Sequence, residues 1–111
     1  MLIHGDNLLA LKALEQNFTG KIKCIYIDPP YNTGNAFEYY DDFLEHSIWL
    51  NLMYQRLKLL YSLLDDTNGS SIWVHLDDAE VHYCKIILDE IFRREIFVAH
   101  ITYERSGIGG I

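Results

Sequence analysis

The apolar run Ile22 to Ile27 ends in Asp28-Pro29-Pro30, and this junction constrains the fold more than any other feature of the sequence. The run is β-branched and aromatic and too short for a helix, so it predicts a mostly buried strand. Neither proline has an N–H group for a strand ladder, and each disfavours helical geometry in the residue before it. We therefore expect the strand to end at Ile27 and a loop to continue to Asn35.

Helical and strand patterns alternate on both sides of this junction. Asp6 occupies the N-cap position of the first expected helix, and Asp77 with Glu80 forms a capping-box pattern at the start of the last. This alternation predicts an α/β fold with a largely parallel sheet. The apolar spacing predicts three helices, over about residues 7–18, 42–64 and 81–92, and four strands, over residues 2–3, 22–27, 71–76 and 96–102.

Composition excludes several classes of protein. Half of the 111 residues are hydrophobic and 23% are charged, which is typical of a globular domain and not of a disordered chain. The formal net charge of -7 repels polyanions, so a nucleic-acid function would need basic surface from elsewhere. There is no signal-peptide pattern, and no apolar stretch approaches the roughly 20 residues of a membrane-spanning helix. These features predict a cytoplasmic protein without membrane contact.

Cysteines and histidines give no indication of a metal site. The two cysteines, Cys24 and Cys84, are far apart in the sequence and form no Cys-x-x-Cys motif. They therefore predict buried, reduced thiols and not a zinc site or a disulfide framework. None of the five histidines forms a His-x-x-x-His pair, and His75 with Asp77 is the nearest approach to a ligand cluster. We interpret these histidines as ordinary strand or surface residues.

The loop that begins at Asp28 is the chemically unusual segment. Pro29 and Pro30 lack N–H groups, whereas the Asp28 carboxylate and the Asp28 and Pro29 carbonyls can all accept hydrogen bonds. A planar amino group suits such a segment, and Tyr31 adds an aromatic face on which an attached ring can stack. The sequence therefore indicates a pocket for an aminated nucleobase. The alternative is that Asp-Pro-Pro only ends the strand and that Tyr31 is a half-buried loop residue.

The string IDPPYNTGN resembles motif IV of the amino-methylating DNA methyltransferases, in which Asp-Pro-Pro-Tyr marks the N6-adenine enzymes. The resemblance covers nearly all of residues 2–103. Within the N6-adenine enzymes it is to the permuted class, and in particular to the modification subunits of type III restriction-modification systems. It is carried upstream by LIHGDNLLALKAL and downstream by FEYYDDF, WLNLMYQRLKLLYSLL and SIWVHLDDAEVHYCKIILDEIF.

The resemblance implies methyl transfer from S-adenosylmethionine to a flipped adenine in double-stranded DNA, with Asp28, Pro29, Pro30 and Tyr31 as the catalytic motif. Asp28 and Pro29 would accept hydrogen bonds from the adenine amino group, and Tyr31 would stack on the base. It also implies a Rossmann-like methyltransferase sheet, of which this chain would form part.

Asp6 and Tyr103 are two further site residues by resemblance. Asp6 matches the acidic residue of motif III, beside the adenine ring of the methyl donor; a simple helix N-cap is the alternative, and one carboxylate can do both. Tyr103 matches a motif VIII aromatic beside the flipped base; an ordinary strand tyrosine is the alternative.

The sequence departs from the family in two respects. It lacks the Phe-x-Gly-x-Gly segment that wraps the donor, and it lacks a target recognition domain. Residues 1–111 are therefore expected to be the N-terminal part of a catalytic domain, from a truncated or frameshifted reading frame and inactive alone. The family's partners would be double-stranded DNA, a restriction subunit and a second modification subunit. The alternative is a non-catalytic α/β nucleotide-binding or interaction module that retains the loop as a relic.

Overall fold

Three helices and a pair of parallel strands make up the fold in a computed structural model, which describes residues 1–29 and 42–104. This confirms the predicted α/β class and the three helices. None of the helices in the described ranges is long and apolar enough to cross a membrane. In chain order the elements are α1 (Asn7–Phe18), β1 (Cys24–Ile27), α2 (Asp42–Leu63), β2 (Ser71–Val74), α3 (Val81–Phe92) and a 3₁₀ turn (Arg94–Ile96).

The two strands pair in parallel, with Cys24 opposite Ser71 and Ile27 opposite Val74. Backbone hydrogen bonds close both ends of this ladder: the Ser71 N–H donates to the Lys23 carbonyl, and the His75 N–H donates to the Ile27 carbonyl, each over 2.9 Å. Because parallel strands have their carboxyl ends at the same edge, the residues that follow β1 and β2 become neighbours.

Helix α2 provides most of the core. It contacts both α1 and α3, and its buried side chains recur at three- and four-residue spacing, as the amphipathic pattern predicts. One face of the sheet, formed by Ile25, Ile27, Ile72 and Val74, packs against this cluster. The buried members are Trp49, Met53, Leu57, Leu60 and Leu63 of α2 with Cys84 of α3.

The other face of the sheet is exposed, and this corrects the prediction of a mostly buried β1. Alternate side chains of a strand point to opposite faces, so Tyr26 and Trp73 lie on the uncovered side and are 65% and 49% exposed. Cys24 shares that face and is exposed, so only Cys84 fulfils the prediction of buried thiols. Burial, with the charge of Glu80, raises the pKa of the Cys84 thiol to about 12.

The two outer strands are absent from the described residues. Residues 2–3 are irregular, and the chain from 96 to 102 leaves the 3₁₀ turn without entering a ladder. A strand needs a neighbour for its N–H and carbonyl groups, and neither segment pairs with β1 or β2. The exposure of Val98, 93%, is consistent with this lack of packing.

The two predicted helix caps have different outcomes. Asp6 caps α1, since its Oδ1 accepts a hydrogen bond from the Leu8 N–H over 3.0 Å. The capping box before α3 is wrong. The carboxylate of Asp77 accepts from the Ala79 N–H, while the Glu80 side chain is buried and forms an ion pair with His46 of α2.

Asp65 stabilises the connection between α2 and β2. Its Oδ1 accepts hydrogen bonds from the hydroxyl and N–H of Thr67, over 2.6 and 2.9 Å, and its Oδ2 lies 3.2 Å from Nζ of Lys23. These contacts, with the Thr67 hydroxyl as the largest cause, lower the pKa of Asp65 from 3.8 to about 2. Gly69 completes the turn with a φ of +67°, a conformation that favours glycine.

We predict that Leu57→Ala lowers the free energy of unfolding by about 2–5 kcal/mol, because it removes a fully buried side chain and leaves a cavity. Urea unfolding followed by circular dichroism measures this change. Leu9→Ala, at an exposed site on α1, is the matched control and should cost less than about 0.5 kcal/mol. Equal losses in the two variants would contradict the assignment of the core.

The lowered pKa of Asp65 predicts that the stability of the fold decreases in acid. Its pKa is lowered in the folded state, so its contribution to stability is present above the ordinary value of 3.8 and disappears as the pH falls towards 2. Asp65→Asn should therefore weaken the dependence of the urea midpoint on pH within this window. Asp66→Asn, at the exposed neighbouring carboxylate, should leave that dependence as in the unsubstituted chain.

Candidate functional site

The candidate site lies at the edge where β1 and β2 end. Asp28 is the first residue after β1 and His75 the first after β2, so the register of the sheet brings them side by side. The His75 Nδ1 lies 3.7 Å from Oδ1 of Asp28. Strand pairing therefore creates this juxtaposition, because the two residues are far apart in the sequence.

Two tyrosines surround the His75 ring. The hydroxyl of Tyr26, from β1, lies 3.3 Å from Nδ1, and the hydroxyl of Tyr103 lies 2.5 Å from Nε2. The His75 and Tyr103 rings also contact each other, with centroids 5.5 Å apart. Tyr103 thus brings the segment after α3 back to the carboxyl edge of the sheet.

The chemistry available at this edge is hydrogen-bond acceptance. The Asp28 side chain is 60% exposed, so its carboxylate is accessible to a ligand. The next residue, Pro29, contributes a carbonyl but no N–H group. Such a pair of acceptors suits a ligand that donates more than one hydrogen bond, as an exocyclic amino group does.

The structure locates four of the six sequence-predicted site residues. Asp28 and Pro29 follow β1 as expected, and Tyr103 reaches the same edge through His75. Asp6 lies apart from them at the start of α1, where it caps the helix and its Oδ1 is 3.8 Å from the Arg56 guanidinium. Pro30 and Tyr31 lie outside the described residues.

His75 is the member of the site that the sequence analysis missed. The sequence alone indicates an ordinary strand or surface histidine. Within residues 1–29 and 42–104 the structure shows no group of side chains that could hold a metal ion. The predicted strands, 22–27 and 71–76, would place Asp77 beside Asp28. The structure ends β2 at Val74 and pairs Val74 with Ile27, so His75 takes that position instead.

Asp6 keeps the capacity to bind a second donor. Its N-cap hydrogen bond and its approach to Arg56 both use Oδ1, and the carboxylate is exposed. The arrangement fits a ligand that presents an N–H or O–H group to the N-terminus of α1.

Comparisons with known proteins point to one family. Residues 22–110 match the N6_N4_Mtase family model, described as DNA methylase. The probable type III restriction-modification enzyme HindVI Mod subunit of Haemophilus influenzae is 46% identical over all of this chain and 14% of its own length. The StyLTI Mod subunit of Salmonella typhimurium is 35% identical, over 96% of the chain and 20% of its own length. The type II methyltransferase M.KpnI of Klebsiella pneumoniae is 36% identical, over 95% and 27%. The chain therefore spans only a minor part of these relatives.

The cap at Asp6 gives a prediction that separates structure from ligand binding. Asp6→Ala should lower the free energy of unfolding by about 1 kcal/mol, because the Leu8 N–H loses its acceptor. Asp6→Asn retains a side-chain oxygen and should lose much less. Chemical unfolding of both variants measures the difference, and equal losses would exclude a capping role.

Proposed function

The chain belongs to the DNA methylase family, and on this premise we propose that it forms the catalytic-loop part of an enzyme that methylates adenine N6 in DNA. Its match to the family model covers residues 22–110 and includes the Asp28-Pro29 junction. Because the chain spans 14% of the length of its HindVI relative, the proposal assigns it one part of the catalytic domain.

The observation that carries the proposal is the pair of acceptors at the end of β1. The lone pair of an adenine amino group is delocalised into the ring, which makes the nitrogen a poor nucleophile. Acceptors at the Asp28 carboxylate and the Pro29 carbonyl would hold both N–H bonds and favour a more tetrahedral nitrogen. Asp28 then acts as a hydrogen-bond acceptor and stabilises the positive charge that develops on nitrogen as the methyl bond forms.

S-adenosylmethionine would supply the electrophilic methyl group. Asp6 is the residue proposed to bind it, because its exposed carboxylate keeps an oxygen available beside the cap. The target adenine would leave the DNA helix to reach Asp28, with Tyr31 and Tyr103 as the proposed stacking residues.

A larger sheet completes the proposal. Tyr26 and Trp73 are large exposed aromatic side chains on one face of the sheet, as is typical of a surface that other parts of a protein cover. In the complete domain, residues 96–102 would add a strand to an edge of this sheet. The result would be the Rossmann-like, mostly parallel sheet of about four strands. Double-stranded DNA, a restriction subunit and a second modification subunit are the proposed partners, and the net charge of -7 requires that other segments hold the DNA.

The proposal can be tested in a chimera, in which a relative supplies the sequence that residues 1–111 do not contain. Residues 1–111 replace the aligned segment of the HindVI Mod subunit, which is 46% identical over that length. The chimera is incubated with S-adenosylmethionine and DNA, and mass spectrometry quantifies N6-methyladenine and N4-methylcytosine. We expect N6-methyladenine as the product.

In the same chimera, Asp28→Ala should reduce kcat at least about 100-fold, as expected when a group that stabilises transition-state charge is removed. Asp66→Ala removes an exposed carboxylate elsewhere and serves as the matched control. A folded chimera that forms no methylated base would favour the non-catalytic module. N4-methylcytosine as the product would contradict adenine as the target.

A further inference from the structure

We infer that His75 is a positioning residue for Asp28 and that the hydroxyl of Tyr103 positions His75. The inference rests on the proposed function, since it assigns these residues to the orientation of the acceptor that would bind the adenine amino group. It concerns the Tyr103 hydroxyl, whereas the stacking role proposed above concerns the Tyr103 ring.

His75 is held at its backbone and at both ring nitrogens. Its backbone N–H donates to the Ile27 carbonyl in the strand ladder, over 2.9 Å. Its Nδ1 lies 3.3 Å from the Tyr26 hydroxyl, and its Nε2 lies 2.5 Å from the Tyr103 hydroxyl. The contacts at both ring nitrogens restrict rotation of the side chain, and the ladder bond fixes its backbone, so His75 offers a fixed neighbour to a more exposed group.

Asp28 is that more exposed group. Its side chain follows the last residue of β1 and is 60% exposed, compared with 23% for His75. The Nδ1 of His75 approaches Oδ1 of Asp28 to 3.7 Å, which is longer than a hydrogen bond but within the range of electrostatic attraction. A shift of about half an ångström in either side chain would bring this distance to hydrogen-bond length.

The tautomer of His75 decides whether this contact attracts or repels. A neutral imidazole has one N–H donor and one bare nitrogen acceptor. With the proton on Nδ1, the ring presents a donor to the Asp28 carboxylate, and the Tyr103 hydroxyl donates to Nε2. With the proton on Nε2, a nitrogen lone pair would face the carboxylate oxygen. The carboxylate, which can only accept, therefore favours the tautomer with the proton on Nδ1, and the Tyr103 hydroxyl, which can donate or accept, fits this tautomer by donating to Nε2.

The consequence for the proposed chemistry concerns the second oxygen of Asp28. When Oδ1 is oriented by the His75 N–H, the plane of the carboxylate is fixed and Oδ2 faces the incoming amino group in one direction. Small misplacements of a group that orients a reacting atom reduce rates strongly. Loss of the Tyr103 hydroxyl should thus act on turnover through His75.

Nuclear magnetic resonance of the 111-residue chain tests the hydrogen-bonded arrangement without any assay of activity. Long-range ¹H–¹⁵N spectra of the neutral ring should show His75 mainly protonated on Nδ1, and Asp28→Ala, which removes the carboxylate that faces Nδ1, should produce a mixture of tautomers. His4, an exposed histidine near the N-terminus, is the reference within the same spectra. A wild-type His75 with the mixture seen for His4, or one that Asp28→Ala does not change, overturns the inference.

The methylation assay of the proposed function provides the kinetic test. His75→Phe keeps a ring but no nitrogen and should lower kcat about tenfold with little change in the KM for DNA, since the electrostatic contact that orients Asp28 is lost. His75→Gln restores an N–H donor and should recover part of this loss. Tyr103→Phe keeps the stacking ring and should still lower kcat, whereas a purely stacking role predicts that only Tyr103→Ala is impaired.

The controls separate this inference from the proposed function. His100→Gln replaces an exposed histidine of the segment that carries Tyr103 and should leave kcat unchanged. If the unsubstituted chimera methylates DNA and His75→Phe has the same kcat, the inference is overturned and the proposed function stands. If the unsubstituted chimera forms no methylated base, the proposed function fails and the positioning role fails with it, whereas the spectra still decide whether Asp28 sets the tautomer of His75.

Discussion

The parallel pairing of β1 with β2 is the constraint on which the rest of the structure depends. It sets Ile27 opposite Val74 and so places the next residues, Asp28 and His75, at one edge. A parallel pair cannot be joined by a tight turn, and here the connection includes the long helix α2. The same helix that allows the parallel register also supplies most of the core that stabilises it.

Among the described residues, the helices pack against one face of the sheet, so the two faces differ in exposure. The inner face of the sheet meets α2, whereas Tyr26 and Trp73 remain exposed on the outer face of the described structure. Tyr26 also contacts His75, so the uncovered face and the candidate site share a residue. Elements that covered this face in a larger domain would therefore lie close to the acceptors at Asp28.

Local patterns predicted the elements whose stability is local. The Leu-rich spacing of α2, the Asp6 cap and the proline stop after β1 all follow from neighbouring residues, and each was confirmed. Pairing between distant segments was harder to predict from the sequence, because an apolar run such as residues 96–102 forms a strand only if a neighbouring strand pairs with it. Glu80 matched a capping box but forms a buried ion pair with His46, a contact that depends on how α2 and α3 pack.

The candidate site shows the same division between local and distant information. Asp28 and Pro29 were predicted from their own chemistry and from a motif within nine residues of sequence. His75 was missed because its role depends on the register of two strands that are separated by α2. Once the strands are paired, the position of His75 follows from the ladder, and Tyr103 is then its partner at Nε2.

The most direct test of this account is the hydrogen bond that closes the ladder at the site. The His75 N–H donates to the Ile27 carbonyl over 2.9 Å, and such a bond transmits a scalar coupling between the amide nitrogen and the carbonyl carbon. A ¹⁵N,¹³C-labelled chain should show a cross-hydrogen-bond coupling from the His75 nitrogen to the Ile27 carbon. A coupling from His75 to any other carbonyl would mean a different register, and Asp28 and His75 would then not form one site.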